Sequence, residues 1–475
     1  MKRLLAELRR ARRPKRPGRS RRGVALVMVL GALTLLTVML TELQGESSAE
    51  LGSALSERDG LKAEYAARSA VNLSRLLIAA EPTIRAAIAP LFLLQRQGPP
   101  QIPVWEFADQ VLGAFNDAAG SERFTALSSV NLAEGRNLGL EGAGFEVTVV
   151  DEDSKINFNL PARGDAFSQA RLAAQVMGLI GGLQYTPMFE RRDADGSFSD
   201  RQAVCSAIID WTDPDQDEYR CDTDSATAQQ AAAEDSFYQL LDSPYQRKNA
   251  AMDSLEELHL VRGISDDFWA TFIDPDPENP HKRNATVWGQ GAINVNTANA
   301  QTILSVVVSA ATPEAKIRTD PAEQATFLSA LTLVRGFTAG APLFGTPNAF
   351  LAALKHQGVF GPVLKALGLE PVPLLSESEL AKAITTESKV FSVYATGYVR
   401  AGQRSTETRV HAVVDFRGAP SVSELMESAG LGPAGQNPVG SQGATGDEGE
   451  LEGEAAIAGA VKADPAGNVV YYRVE

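Results

Sequence analysis

The sequence predicts an α/β fold in which a long N-terminal transmembrane helix precedes an antiparallel sheet, and a large, mainly helical inserted domain interrupts the sheet-forming chain. Three observations carry this prediction. An apolar run from Val24 to Leu40 leads into a helical stripe of small residues. Period-two segments lie on both sides of a long central region, at 145–150 and again at 390–400 and 408–416. Between them, Gln169 to about Leu367 reads as helical segments joined by acidic loops. With 475 residues and 44% hydrophobic content, the chain can bury a sizeable core in two folded units with accessory segments.

Charge divides the N-terminus from the rest. Residues 1–23 carry eleven Lys or Arg against the single Glu7, a balance of +10, which leaves −25 of the total −15 to residues 24–475. So acidic a body repels nucleic acid and offers carboxylates to a divalent cation. As a helix, Val24–Leu40 spans about 25 Å, slightly short of the ~30 Å hydrocarbon layer unless the turn beyond Thr41 contributes. The arginines before it hold the N-terminus in the cytoplasm and send the chain beyond Glu42 outward. An ordinary secretory signal needs small residues at its cut site, and Leu40-Thr41-Glu42-Leu43-Gln44 is a poor one. At Arg21-Arg22-Gly23-Val24 a glycine separates basic residues from the apolar helix, which resembles a prepilin-peptidase site cut after Gly23 to leave Val24 first. The junction alone leaves an uncleaved anchor open. Met28 stands at the fifth position after that cut, where most pilin-like chains have glutamate.

Beyond the membrane the helix continues with Ala63, Ala66, Ala67, Ala70, Leu73 and Leu77 on one stripe. Pro82 and Pro99-Pro100 then interrupt a second helical region, and Trp105 to Ala118 reads as a short helix. Phe145–Val150 is the first strand, and Asp151 to Lys155 is expected to turn it into a hairpin with Ile156–Leu160. After the helical region, Val390–Arg400 and Thr408–Phe416 form a second hairpin closed by Ala401-Gly402-Gln403-Arg404. A Gly, Ala, Ser and Glu-rich linker, 430–455, leads to a terminal strand, Asn468–Val474, whose docking the linker leaves open. The expected divisions are a leader 1–23, an N-terminal helix 24–80, α/β segments 81–160 and 385–475, and a helical insert 161–384.

The densest carboxylates run from Asp210 through Asp213, Asp215 and Asp217 to Asp222, Asp224, Glu234 and Asp235. Counted from Asp213, acids occupy positions 1, 3, 5 and 12 of a calcium loop, but Glu218 at position 6 excludes an EF-hand, which needs glycine there. An irregular calcium site drawing on Asp213, Asp215, Asp217, Asp224, Glu234 and Asp235 is the expectation, beside a merely solvated loop. Cys205 and Cys221 bracket this loop; in an outward-facing domain a disulfide between them is favoured over two free thiols. Asp274-Pro275-Asp276-Pro277-Glu278 reads as a stiff surface connection.

Three phrases in order carry a resemblance: Asp151-Glu152-Asp153-Ser154-Lys155-Ile156-Asn157-Phe158-Asn159, Asp210-Trp211-Thr212-Asp213-Pro214-Asp215, and Ile293-Asn294-Val295-Asn296-Thr297-Ala298. With Glu234-Asp235-Ser236-Phe237-Tyr238, Pro244-Tyr245 and Ser254 to Leu258, the chain resembles the type II secretion minor pseudopilin K family, general secretion pathway protein K. That resemblance implies a pilin-like α/β fold with a helical insert that binds calcium; separately, the motifs weighed below lead to the expectation of no enzymatic activity. It implies a single-pass protein of the bacterial inner membrane with its bulk in the periplasm. Its implied partners are prepilin peptidase and other minor pseudopilins at the pseudopilus tip, with secreted substrates and the outer-membrane secretin as further contacts. The family also tends to lack the glutamate that Met28 replaces.

Two other functional classes fit less well. Leu258 to Ile264 and Ile293 to Ala298 resemble pieces of helix-hairpin-helix DNA-binding units of the competence-receptor type, but Asp266, Asp267, Asp274 and Asp276 surround the first, and phosphate binding needs basic hairpins, so no nucleic-acid partner is expected. The four histidines lack metal-ligand spacing, and neither a Gly-x-Ser-x-Gly elbow nor a phosphate-binding glycine loop occurs.

Overall fold

The computed structural model describes residues 22–92, 99–116, 122, 139–140, 142–192, 196, 198–221, 236–241, 243–338, 341–402, 404–420 and 464–475. The chain divides into two units, residues 1–61 and 62–475. Helix α1 (Arg22–Phe92) supplies the described part of the first and the start of the second.

In the first unit α1 is long and apolar enough to cross a membrane. Its two mid-span polar side chains are satisfied within the helix, as an apolar surrounding demands: the Thr34 hydroxyl donates to Gly31 O at 2.9 Å, and that of Thr37 donates to Leu33 O.

The second unit is built on a four-stranded antiparallel sheet of order β1-β6-β7-β8, with β1 Ala143–Asp151, β6 Val390–Ala401, β7 Arg404–Asp415 and β8 Asn468–Val474. The alternation read from the sequence explains its buried face. Phe145, Val147 and Val149, Phe391, Val393 and Ala395, and Val410, Ala412 and Val414 all point into one core. Ala67, Ala70, Val71 and Ile78 of α1 cover that face together with Trp105, whose ring lies 4.6 Å from Phe391. The small-residue stripe is what permits this: an ideal Cβ on Gly397 would lie 1.9 Å from Ala63 O, so helix and strand touch backbone to backbone.

Helix α1 does not stop before Pro82, as its sequence suggests; it runs through Pro82 and Pro90. A proline forfeits one ladder bond, and here the flanking side chains hold the turn: Glu81 is buried, accepts Ile102 N at 2.9 Å and lies 3.4 Å from Arg85. Trp105 to Phe115 forms only broken turns around α2 (Ala108–Leu112), and Asp117 and Ala118 lie outside the described residues.

The expected hairpin after β1 is absent. Asp151 to Lys155 is buried and closes no hairpin: β2 (Ile156–Asn157) pairs in parallel with β3 (Ala285–Thr286), while β1 pairs with β6 instead. A second short parallel pair joins β4 (Ile293–Asn294) to β5 (Ile384–Thr385). The insertion between β1 and β6 is mainly helical. Its longer helices are α3 (Ala166–Ile180), α4 (Arg201–Thr212), α5 (Ala300–Ala310) and α6 (Pro321–Phe337), capped in turn by the side chains of Asp165, Asp200, Asn299 and Asp320. The terminal strand is docked: it pairs with β7, and Arg75 of α1 grips the chain before it through Asp464 at 2.8 Å, Ala466 O at 3.0 Å and Gly467 O at 2.7 Å. The linker 430–455 and residue 403 of the β6–β7 turn lie outside the described residues.

Candidate metal site and the buried acidic junction

Helix α4 places the first acidic residues. Its last turn carries Asp210, and Asp213 is its C-cap. Asp210 Oδ1 accepts Tyr219 N at 2.8 Å, which folds the loop back onto the helix, and Arg247 donates to Asp210 O at 2.9 Å. Cys205 of α4 and Cys221 at the loop's far end are joined by a disulfide. The loop is therefore tied at its base, with less freedom to lose when a ligand orders it.

Asp213 is fully buried; its Oδ2 accepts Gln169 Nε2 at 3.1 Å, and its Oδ1 has no hydrogen-bond partner among the described residues. Asp215 lies beside it, with Oδ1 accepting Asp217 N at 2.9 Å and Oδ2 3.4 Å from the same Gln169 amide. Asn249, in a left-handed backbone conformation at φ 48°, donates to Asp215 O at 3.3 Å and leaves its own Oδ1 buried without a partner among the described residues. Burial pushes Asp210 up to about 8 and Asp213 up to about 7, and the neighbouring Asp215 raises Asp213 further. Two orphaned acceptor oxygens beside crowded carboxylates suit a hard cation, which prefers an all-oxygen donor set. Asp213, Asp215 and Asn249 are the residues that would hold one.

Of the expected ligands the structure thus brings together Asp213 and Asp215. Asp217 is exposed and contributes its backbone N–H to Asp215; Asp224, Glu234 and Asp235 lie outside the described residues. Among the described residues no three His, Cys, Asp or Glu side chains gather into a metal-holding group. Gln169 and Asn249 were not legible as site residues, because each comes from a segment distant in sequence and carries no charge.

The second concentration of buried charge is the junction where the insertion leaves and rejoins the sheet. Asp151, Glu152, Asp153, Ser154 and Lys155 are all buried. Asp153 accepts three backbone N–H groups, from Gln290 at 2.7 Å, Lys389 at 2.7 Å and Val390 at 3.1 Å. Asp151 accepts Asp153 N and the hydroxyls of Thr297 and Ser388. Burial raises both aspartates, these donors oppose the rise, and Asp151 beside Asp153 adds to it. Burial also works against Glu152, but Lys155 at 3.2 Å and the Thr286 hydroxyl at 2.6 Å hold it below the usual range.

The two Ile-Asn-x-Asn phrases do one job twice. Asn157 Oδ1 accepts Asn159 N and Asn294 Oδ1 accepts Asn296 N, closing two like turns. Asn159 then accepts Met252 N and donates to Met252 O, and Asn296 accepts Phe344 N and donates to Phe344 O. Of the hairpin-like phrases, Leu258, Val261 and Ile264 are core residues, and Arg262 is spent on Phe198 O at 3.0 Å. At the N-terminus Gly23 and Val24 lie in the first turn of α1, and Val24 is exposed.

The family model for type II secretion system (T2SS), protein K, first domain, matches residues 158–272. Those residues include α3, α4, the disulfide and the Asp213–Asp215 pair. Among solved structures, the crystal structure of the GspK-GspI-GspJ complex from the enterotoxigenic Escherichia coli type 2 secretion system overlaps with a TM-score of 0.43 at 11% identity, covering 89% of this chain and 99% of that one. No curated protein matches the chain.

Proposed function

We propose a function on the premise that the chain belongs to the type II secretion system protein K family, whose domain its residues 158–272 carry. The protein is a minor pseudopilin that, with other minor pseudopilins, initiates and caps the pseudopilus tip. The protein K domain is the observation that carries this reading, and its setting supports it: the domain lies in an insertion on a sheet whose core is closed by the second half of a helix with an apolar first half. In this reading the apolar half anchors the chain in the inner membrane and the sheet-bearing body lies in the periplasm. The helical insertion obstructs addition of a further subunit above it. Met28 fits a subunit with no earlier neighbour whose terminal amine an intramembrane carboxylate would pair.

The test is co-purification of the full-length chain, in detergent, with the other minor pseudopilins of the same genome. A stable complex of defined stoichiometry is expected; failure to bind any of them defeats the tip assignment.

Calcium belongs to the same reading. Bound between Asp213, Asp215 and Asn249, it would neutralise the Asp213 carboxylate, which burial otherwise drives toward protonation. Chelation of the purified protein should lower its melting temperature by several degrees and calcium, not magnesium, should restore it. An unchanged melting curve with and without chelator would refute the site.

A further inference from the structure

The two edges of the main sheet are treated differently. On the β1 edge side chains occupy the backbone groups: Asn116 Oδ1 accepts Phe145 N at 2.8 Å, its Nδ2 donates to Phe145 O, and Asp109 Oδ1 lies 3.3 Å from Val147 N. That edge is closed to a further strand. At the other edge, Arg409 of β7 and Glu475, the residue after β8, exchange both backbone hydrogen bonds, at 3.0 and 2.8 Å. In an antiparallel ladder such pairs alternate, so the N–H and C=O of Val474 and Tyr472 turn away from β7. No described residue pairs with that outer edge.

Exposed edges normally carry lysine, proline or an inward charge, because an open ladder recruits other strands. The segment Val469-Val470-Tyr471-Tyr472-Arg473-Val474 has one charge and no proline. Val469, Val470, Tyr472 and Val474 are each 41–49% exposed. Nor is the strand a fraying end. Arg75 clamps its entry, Arg68 donates to the Tyr472 hydroxyl at 3.2 Å, and the Tyr471 ring packs 5.5 Å from Trp288. A rigid, apolar, unprotected edge beside a deliberately capped one is the form of a strand-addition site.

We infer that the outer edge of β8 receives a β-strand of another polypeptide, with β-branched or aromatic side chains to meet Val470, Tyr472 and Val474. Two other occupants fit less well. A second copy would bring together two bodies that each carry −25 over residues 24–475. The chain's own residues 430–453 contain eight Gly and two Pro, among them Gly432-Pro433 and Gly440, a poor strand composition. The inference rests on the proposed function for the partner's identity: a neighbouring minor pseudopilin supplies the strand.

The experiment uses the full-length chain in detergent with those pseudopilins as probes. Amide exchange at Tyr472 and Val474 should slow at least tenfold on complex formation. Val474→Pro removes an outward N–H and spares the β7 ladder, so it should weaken the complex at least tenfold, while Val474→Thr binds like the wild type. If the wild type forms the complex but neither amide slows and Val474→Pro binds equally well, the edge assignment falls and the function stands. If the wild type binds none of the probes, the function itself falls and takes the partner with it. Protection of the two amides in the isolated chain overturns the inference as well: dependence on concentration assigns the edge to a second copy, and independence assigns it to the chain's own segment.

Discussion

At Asp153, three backbone N–H groups from Gln290, Lys389 and Val390 converge on one carboxylate. Replacing it by alanine leaves all three buried donors unpaired, at a cost of roughly 1–3 kcal/mol each before relaxation. Asp153→Ala should therefore lower unfolding stability by about 4 kcal/mol in denaturant titration, with Asp153→Asn intermediate; a loss below about 1 kcal/mol would show that the junction is not a structural keystone. His411 makes a pH prediction. Its ring stacks on Tyr394 at 4.2 Å, its Nε2 has no partner among the described residues, and burial lowers it to about 4. The folded state thus resists a proton that the unfolded chain accepts near 6.5, so this stability is complete above about 6.5 and is lost as pH falls toward 4. The difference in stability between wild type and His411→Phe should shift toward the variant by up to ~1.4 kcal/mol per pH unit across that window; a difference independent of pH would contradict it. The raised aspartates act in the opposite direction, which is why the comparison is between variants. Asp151 to Lys155 is visible in the sequence as a phrase but reads as a polar hairpin turn, because composition does not reveal which polar residues are surrounded by donors. Asp274 differs from the surface connection its proline-rich setting suggests for the same reason: it is buried and paired with Arg283 at 2.8 Å.

The elements themselves were largely legible. Period two placed β6 and β7 to within a few residues and put Val393 and Val410 on the buried side, since one covered face leaves a clean alternation. What could not be read was pairing. A strand followed by a polar phrase and another apolar run looks like a hairpin whether its partner is local or remote, and the partner of β1 is the remote β6. Pro82 misled in a similar way, because the contacts that carry α1 past it come from Ile102 and Arg85. The alanine stripe, by contrast, signalled close packing, and its counterpart is Gly397. Gly397→Val would drive a side chain into Ala63 O and the Ala67 backbone. The expected cost exceeds about 3 kcal/mol, with loss of cooperative unfolding; a melting temperature within about 2 °C of the wild type would mean the contact yields.

For the whole molecule, the two units call for separate tests. If Gly23 ends a leader, Gly23→Leu should leave a precursor about 2–3 kDa heavier on denaturing gels than the processed wild type, with the body folded as before; normal processing of the variant would sink the leader assignment. The candidate site was half legible: Asp213 and Asp215 announced themselves by charge, while Gln169 and Asn249 reach them only through the fold. The insertion has a consequence for the order of events in synthesis. β1 finds its partner only in β6, about 250 residues later in the chain, so the sheet has a high contact order and closes slowly. A chain delivered N-terminus first must present the apolar faces of α1 and β1 unsealed until Lys389 and Val390 arrive to meet Asp153. During that interval the capped helices of the insertion, whose contacts are closer in sequence, have time to assemble, and the acidic junction becomes the latch that records their completion.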